Sequence, residues 1–257
     1  MTRPGEGIAE AIRAAVARGK PALVAYLTAG FPTKHEFQDA FLQVLEVADV
    51  VEIGVPFSDP MADGLTIQQS SRIALEQGVT IDWALATIGA CKPARCPPIL
   101  LMSYLNPLLS YGPARLAVDA RHAGVSGIII PDLPFEECTE IRSGFDAEGF
   151  ALIQMVTPVT PPARLVLLAR ESRGFVYAVT MTGTTGHPVA ADDELFAYLR
   201  RVREVSPSPV CAGFGIRTAA QVAVFAGHVD GCIVGSALVE VLGNGQDVAG
   251  FLRGLRQ

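Results

Sequence analysis

Short runs of apolar residues recur along the chain, and each is followed by a longer segment in which apolar residues return at helical spacing. Continuous apolar runs are typical of parallel strands buried on both faces, whereas the longer segments are typical of helices with one buried face. The pattern therefore predicts a series of β-α units. The candidate strands are Ala22–Leu27, Val50–Val55, Pro98–Ser103, Gly127–Ile130, Ala151–Val156, Gly174–Val179, Pro209–Ala212 and Gly231–Val234.

Eight β-α units in one chain favour a closed barrel over an open doubly wound sheet. We therefore predict an α/β fold in which residues 1–257 form a single (β/α)₈ TIM-barrel domain. A first helix, Glu6–Arg18, precedes every strand and is expected to cap the floor of the barrel. The other predicted helices are Lys34–Glu46, Ile67–Glu76, Pro113–Ala123, Glu136–Glu148, Pro162–Glu171, Asp193–Glu204, Ala219–Phe225 and Asp247–Leu255.

The interval between the second and third strands is too long for a simple unit. About 40 residues lie there, and they hold a loop, the Ile67–Glu76 helix and a further helix around Trp83. Loops that follow barrel strands build the active site in this fold, so an insertion at this point is a functional candidate.

Charge and composition exclude several function classes. The 257 residues carry a net charge of −6 and no long basic run, which argues against a nucleic-acid partner. The apolar stretches fall short of the roughly 20 residues that span a bilayer. The first 15 residues lack a continuous signal-peptide core, so we expect a cytoplasmic protein.

The metal-binding residue types are scattered. The five cysteines form no CxxC pair, and we interpret them as free thiols used as small apolar side chains. The four histidines are equally dispersed, so no metal site is expected.

One segment, VVEIGVPFSDPMADG from Val50 to Gly64, places carboxylates beside a buried strand. Glu52 interrupts the apolar run, and desolvation should raise its pKa into the range where a carboxyl group can give and take a proton near neutral pH. The alternative is that Glu52 is ion-paired inside the barrel. Asp59 and Asp63 follow in the loop, where both could instead be loop-capping residues.

Glycine-rich turns follow three consecutive strands near the carboxyl end. They are Gly183 to Gly186, Gly213 to Gly215, and Gly235-Ser236, where a short helix should begin at Ser236. Backbone N–H groups at such turns, together with a helix N-terminus, form an anion site of the kind that barrels use for phosphate. One such turn alone is weak evidence, since turns need glycine for other reasons.

Several of these segments together resemble the tryptophan synthase α subunit family. The resemblance covers nearly the whole chain, and its most specific motif is GVPFSDPMADG, Gly54 to Gly64, followed by Ile67-Gln68. The supporting segments are Tyr26 to Pro32, Met102 to Pro107, Pro131 to Pro134, Gly183 to Gly186, Gly213 to Ile216, and Gly235-Ser236.

The resemblance implies an activity, which is retro-aldol cleavage of indole-3-glycerol phosphate to indole and glyceraldehyde 3-phosphate without metal or organic cofactor. It places Glu52 as general acid/base and Asp63 as the carboxylate that engages the indole N–H. Implied substrate contacts are Tyr26, Tyr104, Ile129, Tyr177, Thr185 and Phe214, with Thr185 orienting the aspartate. Implied phosphate-binding residues are Gly186, Gly215, Gly235 and Ser236.

The resemblance also implies a partner, a tryptophan synthase β subunit in an α2β2 heterotetramer. Asp59, Pro60, Asn106 and Pro107 are expected at the interface. Three positions depart from the family pattern. Leu65 stands where proline is usual, which suggests a less rigid loop after Asp63, while Met181 and Thr184 alter the sixth loop.

Three other functions are compatible with parts of the sequence. A stand-alone indole-3-glycerol phosphate lyase would release free indole, and the activity of the isolated chain would distinguish it. A non-catalytic, phosphate-binding allosteric module would not need both Glu52 and Asp63. A different phosphosugar barrel, such as an isomerase, would explain the glycine turns but not the Gly54 to Gly64 motif.

Overall fold

A computed structural model describes residues 3–94, 96–180, 192–213 and 215–257. Eight parallel strands pair in sequence order, and β1 pairs with β8 to close the barrel. The strands are β1 (Ala22–Thr28), β2 (Val50–Gly54), β3 (Ile99–Met102), β4 (Val125–Ile129), β5 (Ala151–Val156), β6 (Val176–Val179), β7 (Val210–Gly213) and β8 (Gly231–Val234). The predicted (β/α)₈ fold is confirmed.

Helices cover the outside of the strands, apart from the first helix, which lies at the floor of the barrel. In the described part of the chain they are α1 (Glu6–Ala17), α2 (Lys34–Val47), α3 (Leu65–Glu76), α4 (Ile81–Cys91), α5 (Leu105–Tyr111), α6 (Pro113–Ala123), α7 (Thr139–Ala147), α8 (Pro162–Glu171), α9 (Asp193–Val205), α10 (Ala219–Phe225), α11 (Ser236–Gly243) and α12 (Val248–Gly254). None of these helices combines the length and apolar content that crossing a membrane requires.

The apolar core has two parts. One lies between the strands and the surrounding helices, and the other fills the barrel interior with side chains such as Val24, Leu100 and Phe175. Ile8 and Ile12 of α1 pack against this interior cluster. The prediction that the first helix caps the barrel floor is therefore confirmed.

The long interval after β2 contains α3 and α4, as predicted. α3 begins at Leu65, two residues before the predicted start, because its first turn includes polar Thr66 rather than only the apolar-periodic positions. α4 begins behind Thr80, whose hydroxyl accepts a hydrogen bond from the Trp83 N–H. Such a side-chain cap satisfies a donor that the helix itself leaves unpaired.

Some boundaries were predicted wrongly. β4 begins at Val125, because a register shift opposite Ile99 places the polar Ser126 within the strand and interrupts its apolar pattern. The predicted Glu136–Glu148 helix is a 3₁₀ turn, Phe135–Glu137, followed by α7. α5 was not predicted at all.

Candidate active site

Glu52 lies in the middle of β2 with its side chain inside the barrel, between Tyr26 on β1 and Leu100 on β3 in strand register. The residue is 1% exposed. Its Oε2 is buried, and among the described residues it has no hydrogen-bond partner. No described cation pairs with Glu52 either, so the alternative of a buried ion pair finds no support in this part of the chain.

Burial raises the pKa of Glu52 to about 8, and the nearby Asp63 carboxylate adds to the increase. This agrees with the expectation from the sequence, because a carboxyl group that leaves water without a compensating cation favours its neutral form. Near neutral pH Glu52 is therefore a proton donor that can become a base after one transfer.

Asp63 occupies the loop between β2 and α3 and is held at three points. Its N–H donates to the Pro60 carbonyl at 3.1 Å, and its carbonyl accepts from Gln68 Nε2 at 2.8 Å. Its Oδ2 accepts a 3.0 Å hydrogen bond from the Tyr104 hydroxyl. The first two contacts hold the backbone of Asp63 in the loop, and the third holds the carboxylate itself.

The pKa of Asp63 rises to about 6, since burial raises it and the Tyr104 hydrogen bond opposes the increase. At pH 7 Asp63 is mostly ionised while Glu52 is mostly protonated. The two carboxyl groups are thus suited to different tasks, one as a fixed negative charge and the other as a proton donor.

Tyr104 was expected as a pocket wall, but the structure also gives it a supporting role. Its hydroxyl accepts from the Ala62 N–H at 2.9 Å while donating to Asp63, and its ring lies 5.3 Å from that of Phe57. Phe57 and Gln68 were not predicted as site residues. The signal available in the sequence was that Phe57 lies within the Gly54 to Gly64 motif and that Gln68 follows it closely.

Tyr26 and Tyr177 face the same interior. The hydroxyl of Tyr26 occupies the space above Gly54, where a β-carbon would lie 2.0 Å from it. A β-carbon on Gly213 would lie 3.0 Å from the Tyr177 hydroxyl. Both glycines therefore leave room for a phenol, and burial raises the pKa of each tyrosine well above its usual range, so both remain neutral.

A buried hydroxyl chain supports Tyr26, and it was missed in the sequence. Thr28 Oγ1 lies 3.4 Å from the Tyr26 hydroxyl and 2.7 Å from Ser70 Oγ, and its single proton can be donated to either. Ser70 in turn donates to the Ile67 carbonyl at 2.8 Å. The chain connects β1 with α3, the helix that begins two residues after Asp63.

The remaining predicted substrate contacts divide into two groups. Ile129 is fully buried in the interior cluster of the barrel. Thr185 and Phe214 lie outside the described residues, as do Met181 and Thr184.

The predicted phosphate turns follow β7 and β8. Gly215 adopts φ +63°, a left-handed conformation that strongly favours glycine. Gly235 precedes α11, and no side chain from the described residues caps the N-terminus of this helix. Amide groups at an uncapped helix N-terminus are available to an anion. Gly186 lies outside the described residues.

The four residues predicted at a partner interface lie on the loops and helix start after β2 and β3, at one end of the barrel. Asp59 and Asn106 are exposed, whereas Pro60 and Pro107 are half-buried. Exposed apolar side chains accompany them, with Met61 89% and Leu65 80% accessible.

Within the described residues, no group of three or more His, Cys, Asp and Glu side chains is arranged to hold a metal ion, and the five cysteines are free thiols. The site instead holds two carboxyl groups, Glu52 and Asp63, whose pKa values differ, in a closed parallel barrel. This defines the class of protein, a (β/α)₈-barrel with two carboxyl groups of separated pKa values on β2 and on the loop that follows it.

Comparisons with known proteins specify the class further. A family model described as tryptophan synthase alpha chain matches residues 12–251. The tryptophan synthase alpha chain of Nitratidesulfovibrio vulgaris strain DP4 is 43% identical over 244 residues, which are 94% of this chain and 95% of that protein. That of Geobacter sp. strain M21 is 41% identical over 93% of this chain and 92% of its own length.

Solved structures of tryptophan synthase also match this chain. A chain in a structure of Mycobacterium tuberculosis tryptophan synthase matches with a TM-score of 0.90 and 35% identity, covering 96% of each chain. The tryptophan synthase alpha chain from Legionella pneumophila matches with a TM-score of 0.87 and 30% identity, over 100% of this chain and 97% of that one. The chain belongs to the tryptophan synthase alpha chain family. It is accordingly a lyase that catalyses the cleavage of indole-3-glycerol phosphate.

Proposed function

We propose that Glu52 and Asp63 carry out this cleavage, which converts indole-3-glycerol phosphate to indole and D-glyceraldehyde 3-phosphate. The observation that carries the proposal is the separation of the two carboxyl pKa values, about 8 for the buried Glu52 and about 6 for the half-buried Asp63. Near pH 7 this separation supplies a proton donor and a fixed negative charge in one water-poor site. Residues 1–257 act in this proposal as one barrel domain.

Glu52 first donates its proton to C3 of the indole ring. The ring becomes an indoleninium ion whose positive charge is centred near N1, where the Asp63 carboxylate accepts the N1–H and stabilises the charge. Glu52, now a carboxylate, takes the proton of the side-chain hydroxyl. The electron pair of the C3–side-chain bond returns to the ring, so indole leaves, the hydroxyl carbon becomes the aldehyde, and Glu52 has recovered its proton.

Tyr26, Tyr104, Ile129, Tyr177 and Phe214 surround the indole and the glycerol chain in this proposal, and Thr185 orients Asp63. The buried, neutral phenols of Tyr26 and Tyr177 support it, because they add no charge to compete with Asp63. Gly186, Gly215, Gly235 and Ser236 hold the phosphate. The uncapped N-terminus of α11 supports the last two assignments.

A β subunit completes the proposal, docking on Asp59, Pro60, Asn106 and Pro107 to give an α2β2 heterotetramer in the cytoplasm. The exposed Met61 and Leu65 beside these residues support a protein contact on this end of the barrel. Indole is small and apolar, so transfer into a docked partner would prevent its loss to solvent. Ligand closure and partner binding should then favour each other.

Indole release from indole-3-glycerol phosphate by Glu52→Gln and Asp63→Asn tests the assignment. We expect Glu52→Gln to lose at least about 100-fold in kcat, because the amide keeps the shape and cannot transfer a proton. Asp63→Asn should be nearly as slow, and the exposed Glu76→Gln should match wild type. If Glu52→Gln retains more than about a tenth of wild-type turnover, Glu52 is not the acid/base.

Titration with a cognate β subunit tests the partner. We expect turnover to rise and a complex to sediment, and Asp59→Ala to reduce the activation more than the basal rate. Unchanged turnover without a complex would instead favour a stand-alone lyase.

A further inference from the structure

Glu240 joins three separate elements on the surface near the carboxyl ends of the strands. It lies on α11, one turn after Ser236, and its carboxylate receives two hydrogen bonds from the Arg217 guanidinium, Nη1–Oε2 at 2.6 Å and Nη2–Oε1 at 2.9 Å. Thr66 Oγ1 adds a third hydrogen bond to Oε1 at 3.1 Å. Neither Glu240 nor Arg217 belongs to a motif that is recognisable in the sequence.

Arg217 is itself held in place. Its backbone N–H donates to Gln221 Oε1 at 2.8 Å. This contact lies beside the capping box that Thr218 and Gln221 form at the start of α10. The planar guanidinium then meets Glu240 in a two-point geometry, which is stronger and more directional than a single contact. For comparison, Arg72 and Glu76 on α3 approach only to 4.0 Å. The Arg217–Glu240 pair is therefore a defined junction rather than a loose surface ion pair.

Thr66 connects this junction to the loop between β2 and α3, which holds Asp63. It is the second residue of α3, which begins two residues after Asp63. The same first turn holds the loop, since Gln68 Nε2 donates to the Asp63 carbonyl at 2.8 Å and the Gln68 N–H donates to the Gly64 carbonyl at 3.0 Å. A displacement of the start of α3 would thus be transmitted to the Asp63 backbone.

We propose that Glu240 is a positioning residue, which ties the helix that starts at the phosphate site to the first turn of α3 and so holds Asp63 in place for the reaction. The inference rests on the proposed function, since it takes α11 as the phosphate helix and Asp63 as the group to be placed. Glu240 acts through Thr66 and touches no reacting atom.

The charge of the junction fits this role. Hydrogen bonding from Arg217 and Thr66 lowers the pKa of Glu240, so the carboxylate is ionised throughout the neutral range. A lone carboxylate one turn from a bound phosphate would repel it, whereas a carboxylate neutralised by Arg217 does not. The Arg217–Glu240 pair can therefore hold the start of α11 in place without weakening phosphate binding at the proposed anion site.

The test compares Thr66→Val, Glu240→Ala and their double variant with wild type, and uses Glu76→Ala on the same helix as the matched control. Steady-state indole release gives kcat and KM, and hydrogen exchange reports on the amides of residues 61–64 in the ligand-free chain. We expect each single variant to lower kcat about fivefold, since one hydrogen bond to a charged group is worth about 1 kcal/mol at a partly exposed site.

The double variant should be no slower than Glu240→Ala, because both changes break the same link. KM should change less than kcat, and exchange at residues 61–64 should accelerate in all three variants but not in Glu76→Ala. The proposal is overturned if wild type turns over and Glu240→Ala resembles Glu76→Ala in kcat and in exchange.

A chain whose wild type releases no indole would count against the proposed function and not against the link. In that case the exchange experiment decides alone. Faster exchange at residues 61–64 in Thr66→Val and Glu240→Ala supports the link, and unchanged exchange overturns it.

Discussion

The hydroxyl of Tyr104 donates a 3.0 Å hydrogen bond to Oδ2 of Asp63, a residue 41 positions earlier in the chain. This bond lowers the pKa of Asp63 against the effect of burial. The aromatic residue after β3 therefore influences both where the carboxylate lies and at what pH it is charged.

Tyr104→Phe should move the acidic limb of the pH profile to higher pH. Without the hydroxyl, the pKa of Asp63 rises beyond about 6, so a smaller fraction is ionised at pH 6.5 than in wild type. We expect kcat/KM to fall about fourfold at pH 6.5 and very little at pH 8, because a lost hydrogen bond worth about 1.5 kcal/mol raises the pKa of Asp63 by about one and lowers its ionised fraction at pH 6.5 from about 0.8 to about 0.2. Profiles of kcat/KM between pH 5.5 and 9 measure the shift.

Tyr111→Phe is the matched control for that experiment, since the Tyr111 hydroxyl donates to a surface carboxylate, Asp119, at 2.7 Å. Its profile should coincide with wild type. A Tyr104→Phe profile that also coincides with wild type would contradict the role assigned to this hydrogen bond.

Glu52→Gln should stabilise the fold at alkaline pH while abolishing activity. Because burial raises the pKa of Glu52 from 4.5 to about 8, the unfolded state releases this proton first. The free energy of unfolding of wild type therefore decreases as pH rises between those values, by several kcal/mol at about 1.4 kcal/mol per pKa unit. Glutamine removes this decrease.

Urea unfolding at pH 4.5 and pH 8 checks this prediction. The variant should gain relative to wild type only at pH 8. Glu136→Gln provides the opposite sign. The hydrogen bond from Arg164 lowers the pKa of Glu136, so the ionised group stabilises the fold at pH 8 and the variant should be slightly less stable than wild type there. Equal stability differences for Glu52→Gln at both pH values would show that Glu52 is not desolvated as described.

Leu65→Pro should stabilise the protein. Leu65 is the first residue of α3, its side chain is 80% exposed, and its N–H has no partner among the described residues. Gly64 before it has φ −78° and ψ 167°, which a following proline tolerates. Proline at this helix position should add about 0.4–1 kcal/mol by restricting the unfolded chain.

Thermal unfolding of Leu65→Pro against Leu65→Ala separates the proline ring from the loss of an exposed leucine. A lower melting temperature for Leu65→Pro than for Leu65→Ala would mean that the first turn needs the N–H. The same pair of variants, assayed for indole release, reports whether a stiffer start of α3 changes kcat.

Gly235→Asp should weaken phosphate binding selectively. A β-carbon at this position makes only ordinary contact with Tyr26, at 3.8 Å, so the fold should tolerate it. The added carboxylate would face the anion at the start of α11. We expect KM for indole-3-glycerol phosphate to rise at least tenfold, roughly the effect of one unfavourable charge pair near a protein surface, with little change in affinity for indole.

Gly235→Asn is the matched neutral variant and should raise KM far less. Equal weakening of substrate and indole binding by Gly235→Asp would place the phosphate elsewhere. Calorimetric titration with indole and with glycerol 3-phosphate makes the comparison direct.

The sequence by itself determined the barrel and the position of its acid. Burial determines which nearby positions are apolar, so it leaves a local pattern of apolar runs and helical spacing in the sequence. The eight strands were therefore recognisable to within two residues at each end. Glu52 was recognisable for the same reason, since a charge inside such a run must be desolvated if the strand is buried. Asp63 was recognisable only through the motif that contains it, because an aspartate in a loop has no such local signature.

Tertiary structure alone decided what surrounds these carboxyl groups. α5 begins where Asp132, from the next strand loop, accepts the Leu105 N–H at 2.8 Å, a contact without any local pattern. The bond from Tyr104 to Asp63 spans 41 residues, and that from Thr66 to Glu240 spans 174. Polar pairs of this kind depend on barrel closure, which brings separate strand ends together. Hydrophobic periodicity fixes which residues are buried but not which polar groups then meet.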